Sequence, residues 1–149
     1  MYVSSTFPEL KTKYIDTGKV YYVFKDFPIV QLHPQAELAA QAAECAGDQG
    51  QYWQMHGQLF AEPSEWDTTP EAAQESFRRY AAALGLDSAE LLHCIDQGRY
   101  ADEVQRDMTE GRTLGLTGTP AFIINGKLLS GARPTEQFIR VLDRELSAR

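Results

Sequence analysis

The sequence predicts an α/β fold in which a small mixed sheet carries helices on both faces and a long helical stretch interrupts it. Three observations carry that expectation. Residues 19–27 (KVYYVFKDF) are dense in β-branched and aromatic side chains and stop at Pro28. Residues 121–124 (AFII) form a second apolar run, closed by the hairpin pair Asn125-Gly126 and followed by a return segment, 127–131. Between these two runs, from Pro34 to Tyr100, apolar residues recur at three- and four-residue steps.

Taken in order, residues 2–17 read as a helix. Val3, Phe7, Leu10 and Tyr14 share one face, Pro8 kinks the run, and Gly18 ends it. The pattern is already under way at Met1, with no capping residue ahead of it. Residues 19–27 follow as a strand whose nearly continuous apolar centre predicts burial on both faces. Pro34 suits a first helical turn, and Leu38, Ala39, Ala42 and Cys45 continue to Gly47. A second helix covers 50–61, then 62–69 is a loop holding Pro63 and Trp66. Thr69-Pro70 opens the next helix with a cap and a first-turn proline, and Gly85 closes it. Asp87 with Glu90 has the form of a capping box, opening a helix that carries Leu91, Leu92, Cys94 and Ile95 and ends at Gly98. Residues 100–114 make a polar helix around Val104 and Met108. After the hairpin, Phe138, Ile139, Leu142 and Leu146 mark a last helix over 134–146.

The totals exclude several function classes. A chain of 149 residues is long enough for one domain with a sizeable core. With 14 basic against 21 acidic residues the net charge is −7, and no basic stripe offers itself to phosphates, so nucleic acid is not an expected partner. No apolar run is long enough to span a membrane. The first residues have neither the basic nor the apolar region of an export signal. His33, His56 and His93 lack the close spacing of metal ligands, and His93 and Cys94 point to different faces of a helix, so no metal site is expected. Cys45 and Cys94 stand 49 positions apart rather than as Cys-x-x-Cys. Spacing leaves them open to be a disulfide or two buried thiols. Thr119-Pro120 sits directly before a buried run. Either an ordinary trans proline ends a loop there, or a cis bond faces a binding groove.

Leu116-Thr117-Gly118-Thr119-Pro120-Ala121-Phe122-Ile123-Ile124-Asn125-Gly126, in this order of elements, resembles the DsbA-like branch of the thioredoxin superfamily. Phe7-Pro8-Glu9-Leu10 with Asp16-Thr17-Gly18-Lys19-Val20 is similar to that family's first helix running into a strand. Asp26-Phe27-Pro28, His33-Pro34, Ala42-Ala43-Glu44-Cys45-Ala46 and Trp53-Gln54-Met55-His56 are similar to the entry and body of its inserted helical domain. The likeness covers essentially the whole chain.

The resemblance implies a thioredoxin-like mixed sheet with an inserted helical subdomain. Residues 1–33 and 116–149 would supply the two thioredoxin-like parts and 34–115 the insert. It implies a cis-proline loop at Gly118, Thr119 and Pro120 that meets a peptide or unfolded protein substrate, and a structural disulfide between Cys45 and Cys94. It implies thiol–disulfide exchange without a cofactor. The family's Cys-x-x-Cys is absent from the sequence. The register places it just before Met1, together with a central strand between 19–27 and 121–124. No catalytic residue is therefore expected within 1–149, and the chain by itself is expected to be redox-inactive. The alternative is a non-catalytic module that binds a peptide or partner through the same loop. A homodimer through the exposed sheet, and an extracytoplasmic setting for the full-length protein, complete the expectations. A glutathione-dependent relative would need a serine at the helix start, and Ser4 and Ser5 lie too far into the helix.

Overall fold

The computed structural model describes residues 2–148. The chain divides into two compact units. One joins the chain up to Lys25 with the chain from Leu116 onward; the other is Asp26–Gly115. Residues 26–33 thus cluster with the helices that follow them.

In the first unit the opening helical run divides. α1 is Tyr2–Ser5 and α2 is Phe7–Leu10, continued by a π-helical turn, Lys11–Ile15. Pro8 falls in the first turn of α2, where its missing N–H costs least, so the run is interrupted at Thr6 instead of kinking at the proline. The hairpin is β1 (Ala121–Ile124) and β2 (Lys127–Ser130), antiparallel, with Ile124 opposite Lys127 and Ala121 opposite Ser130. Asn125 and Gly126 both take positive φ, 48° and 81°, the two-residue turn whose twist matches the flanking strands. α9 (Thr135–Ser147) closes the unit.

The unit's core is aromatic. Phe122 of β1 meets Phe138 of α9 edge to face at 4.7 Å, and Tyr2 lies 4.5 Å from Phe122 and 5.5 Å from Phe138. Leu10, Tyr14 and Leu142 complete the buried set. Polar ties fix α9 further. The Tyr14 hydroxyl donates to Asp143 Oδ1 at 2.7 Å, and Thr6 and Thr135 share a hydroxyl hydrogen bond of 3.0 Å. Lys127 Nζ and Asn125 Nδ2 donate to Glu145, which holds the hairpin turn against the helix.

Residues 19–27 do not form the strand their composition predicts. The N–H groups of Lys19 and Val20 turn back to the Tyr14 carbonyl, and among the described residues no strand lies alongside. A strand exists only as one member of a pair, so β-propensity alone leaves the segment without secondary structure. Its period-two pattern survives. Val20, Tyr22 and Phe24 are half-buried, while Tyr21 and Val23 are 93% and 56% exposed. One face is covered, not two.

The second unit is helical: α3 (Ala36–Gly47), α4 (Tyr52–Ala61), α5 (Pro63–Trp66), α6 (Pro70–Ala83), α7 (Ser88–Asp96) and α8 (Ala101–Thr113). α5 lies inside the segment expected to be a plain loop. Its Trp66 is buried and donates its indole N–H to the Leu59 carbonyl at 2.9 Å, which folds the connection onto α4. Thr69 caps α6 through Ala72 N–H, and Asp87 caps α7 through the N–H groups of Ala89 and Glu90. α3 packs against α4, α6, α7 and α8. Ala39, Ala42, Ala43 and Ala46 are buried on it, and such small side chains let its neighbours approach closely. Phe77, Leu91 and Met55 fill the space around them.

Replacing Phe138 by Ala is expected to destabilise the first unit by about 3–5 kcal/mol, because it opens a cavity against Phe122 and Tyr2. Ile123→Ala, on the exposed face of β1, should cost under about 1 kcal/mol. Urea denaturation followed by tyrosine fluorescence reads both.

Candidate functional site

β1 determines where the proline loop stands. Its inward residue, Phe122, is held by the aromatic core, so residues 118–120 emerge at a fixed end of the hairpin. The Thr119-Pro120 peptide is cis. The Gly131 N–H donates to the Pro120 carbonyl at 2.8 Å, extending the hairpin's pairing up to the proline. Thr119 is exposed and Gly118 and Pro120 are half-buried, and a Cβ built on Gly118 would meet no atom within 4 Å. The three residues form an open rim.

The pairing pattern fixes what this rim offers chemically. Bonded pairs alternate in an antiparallel ladder. With Pro120 bonded to Gly131, Phe122 and Ile124 direct their main-chain groups to β2. Ala121 and Ile123 therefore direct theirs to the opposite edge, which carries no strand among the described residues. Immediately beyond the proline, Ala121 and Ile123 thus each direct one N–H and one C=O to that edge.

Cys45 of α3 and Cys94 of α7 are joined by a disulfide, S–S 1.95 Å, and each is 1% exposed. The two lie among Ala42, Ala46, Leu91 and Ile95, with no route for a substrate sulfur to attack. The bridge belongs to the helical unit, and Gly118, Thr119 and Pro120 belong to the other. Among the described residues no free cysteine exists, and no three His, Cys, Asp or Glu residues are grouped to hold a metal ion.

Two features go beyond the sequence reading. His56 on α4, weighed there only as a metal ligand and as part of the family likeness, is 5% exposed and packed among aromatic rings: Tyr52 at 6.1 Å, Trp53 at 5.4 Å and Phe60 at 4.8 Å. Burial pushes its pKa down to about 4, so the ring is neutral at physiological pH. Its aromatic neighbours at one-turn spacing were the available signal. The second is a group of carboxylates around Glu44, drawn from three parts of the chain; only the α3 members share a stripe visible in the sequence.

A thioredoxin-like fold with a helical insert, carrying a cis proline at the head of a hairpin strand, defines the class of protein. Residues 2–144 match the family described as Thioredoxin, and the chain belongs to it. It is similar to the crystal structure of alpha-DsbA1 of Wolbachia pipientis, with a TM-score of 0.83, 25% identity, and cover of 99% of this chain and 78% of that one. A double cysteine-to-alanine variant of the same protein superposes with the same score at 24% identity, and its two replaced positions are as far apart as Cys45 and Cys94. In sequence, the chain is 31% identical over 126 residues to a Na(+)/H(+) antiporter NhaA 3 of Salinispora tropica, covering 85% of this chain and 18% of the antiporter. It is 30% identical over 131 residues to an NhaA 1 of Salinispora arenicola, covering 88% and 19%. The chain thus spans about a fifth of the length of these relatives. No helix among the described residues is long and apolar enough to cross a membrane.

Replacing both Cys45 and Cys94 by Ala should lower stability by about 4 kcal/mol, the loop-closure entropy of a 49-residue separation. The urea midpoint measures it. His56 gives a pH dependence of definite sign. The unfolded ring takes up a proton below about pH 6.5 and the folded one only near 4, so stability is complete above 6.5 and falls as the pH drops toward 4. Against a His56→Gln reference the expected loss is up to about 3 kcal/mol, read from urea midpoints between pH 7 and 4.

Proposed function

We propose that the chain is the scaffold and peptide-docking part of a bacterial DsbA-like thiol–disulfide oxidoreductase. The observation that carries this reading is the alignment of 99% of the chain with alpha-DsbA1 at a TM-score of 0.83. The open rim at Gly118, Thr119 and Pro120 supports the same reading. In it, an extended peptide or unfolded protein lies along the rim and takes main-chain hydrogen bonds there. Its cysteines then exchange with a dithiol pair that residues 1–149 do not contain, because both cysteines of this chain are sealed in a buried bridge. The pair, with a strand between β1 and residues 19–25, would come from chain outside these residues. Exchange needs no cofactor: the enzyme's disulfide is reduced as the substrate's dithiol is oxidised. The buried bridge favours an oxidising compartment outside the cytoplasm. The edge of β1 that carries no strand among the described residues also suits a homodimer.

The second reading, a redox-inactive module that only holds peptide, is favoured by the sealed bridge. One experiment separates the two. Residues 1–149 should reduce insulin no faster than the uncatalysed background. A form extended upstream by an apolar strand and Cys-x-x-Cys should catalyse the reaction, and Thr119→Arg in that form should raise KM about tenfold, a change of 1.4 kcal/mol in docking. Activity of residues 1–149 that survives Cys45→Ser would overturn the scaffold reading. An inactive extended form that still binds peptide would establish the module.

A further inference from the structure

The acid excess of the chain belongs to its helical unit, which has 16 acidic side chains against 5 basic; the first unit has 9 basic against 5 acidic, completing the 21 and 14 of the whole chain. Most acids of the first unit are engaged. Asp16 pairs with Lys11, Asp143 accepts from Tyr14, and Glu145 accepts from Lys127 and Asn125. The two ends of the hairpin therefore differ in charge. At the turn, Lys127 is neutralised by Glu145 at 2.6 Å. At the other end the chain enters β1 through Gly118, Thr119 and Pro120 and leaves β2 through Gly131, Ala132 and Arg133, with Gly131 bonded across to Pro120. Arg133 is exposed, and its Nε donates to the Ser130 carbonyl at 2.8 Å, which ties the base of the guanidinium to the main chain. Among the described residues no carboxylate pairs with it, Glu136 included. α9, 13 residues long, starts two residues later, and the positive end of its dipole adds to the same field.

Resting on the peptide-docking reading above, we propose that Arg133 is a specificity-determining residue: among peptides docked at Gly118, Thr119 and Pro120, it favours those carrying Asp or Glu two or three residues from the cysteine to be exchanged. The Nη groups form the end of a planar fork that fits both oxygens of a carboxylate. An extended peptide advances about 3.3 Å per residue, and neighbouring strands stand about 4.8 Å apart. Two or three residues therefore carry a peptide that crosses this end of the hairpin from the rim past β2. A lysine at the same place meets the charge as repulsion. Because the guanidinium stands in water, the preference is modest and is screened by salt.

Fluorescence anisotropy of rhodamine-labelled extended peptides reads this preference. The peptides carry serine for the exchanged cysteine and differ only in Glu, Gln or Lys at the second and third places on either side. Residues 1–149 at low ionic strength should bind the Glu peptide at least about threefold more tightly than the Gln peptide, and the Lys peptide more weakly still. Arg133→Gln should bring the Glu and Gln peptides level. Arg140→Gln removes the same charge from an exposed position on α9 and should leave their ratio as it was. Equal binding of the Glu and Gln peptides by the unaltered chain, a preference that survives Arg133→Gln, or an equal loss of it in Arg140→Gln overturns the assignment and leaves the rim standing. Thr119→Arg should weaken the Gln peptide, which has no charge for the new side chain to attract. Binding that ignores this change, or no binding at all, overturns the docking reading and this inference with it.

Discussion

The contact of Phe122 with Phe138, closed on a third side by Tyr2, is the constraint on which the first unit rests. Three stretches far apart in sequence meet there: α1 at the start, β1 near residue 122 and α9 near the end. A two-stranded hairpin is marginal by itself in water and needs a packed face to persist. Phe122, Ile124 and Leu129 supply that face, and α9 covers it. The position of Gly118, Thr119 and Pro120 follows, since a loop is only as well placed as the strand it precedes.

The helical unit is held by a different device. Its central helix carries alanine where a bulkier residue would keep neighbours apart, and close packing replaces large side chains. The covalent link from α3 to α7 then restricts the unfolded chain across 49 positions. An aromatic cluster and a buried bridge are thus two separate solutions, one to each unit. The bridge is a fixture of the fold rather than a reagent: at 1% exposure neither sulfur meets solvent.

Helices and hairpin were legible because their signals are local. Thr69-Pro70 and Asp87 act as caps where the sequence places them, and Asn125-Gly126 makes the turn that this pair prefers. Residues 19–27 were misread because composition reports how a residue fits a sheet, whereas pairing depends on which other segment lies alongside. Their alternation of Tyr21 and Val23 outward with Val20, Tyr22 and Phe24 inward is what the composition had encoded. α5 escaped because four residues are too few to show a period. The Cys45–Cys94 pairing needed knowledge that α3 and α7 are neighbours, which spacing cannot supply and family resemblance could. The carboxylates around Glu44 come from α3, α8 and the segment before α3, so no window of the sequence contains them.

The unfilled margins of Tyr21, Val23, Ala121 and Ile123 have a colloidal side. Unpaired strand-like backbone beside exposed apolar side chains is a template on which neighbouring molecules can zip together. Lys19 stands exposed beside the Tyr21–Val23 margin, and like charge brought edge to edge discourages that stacking. Such gatekeeping weakens as salt screens it.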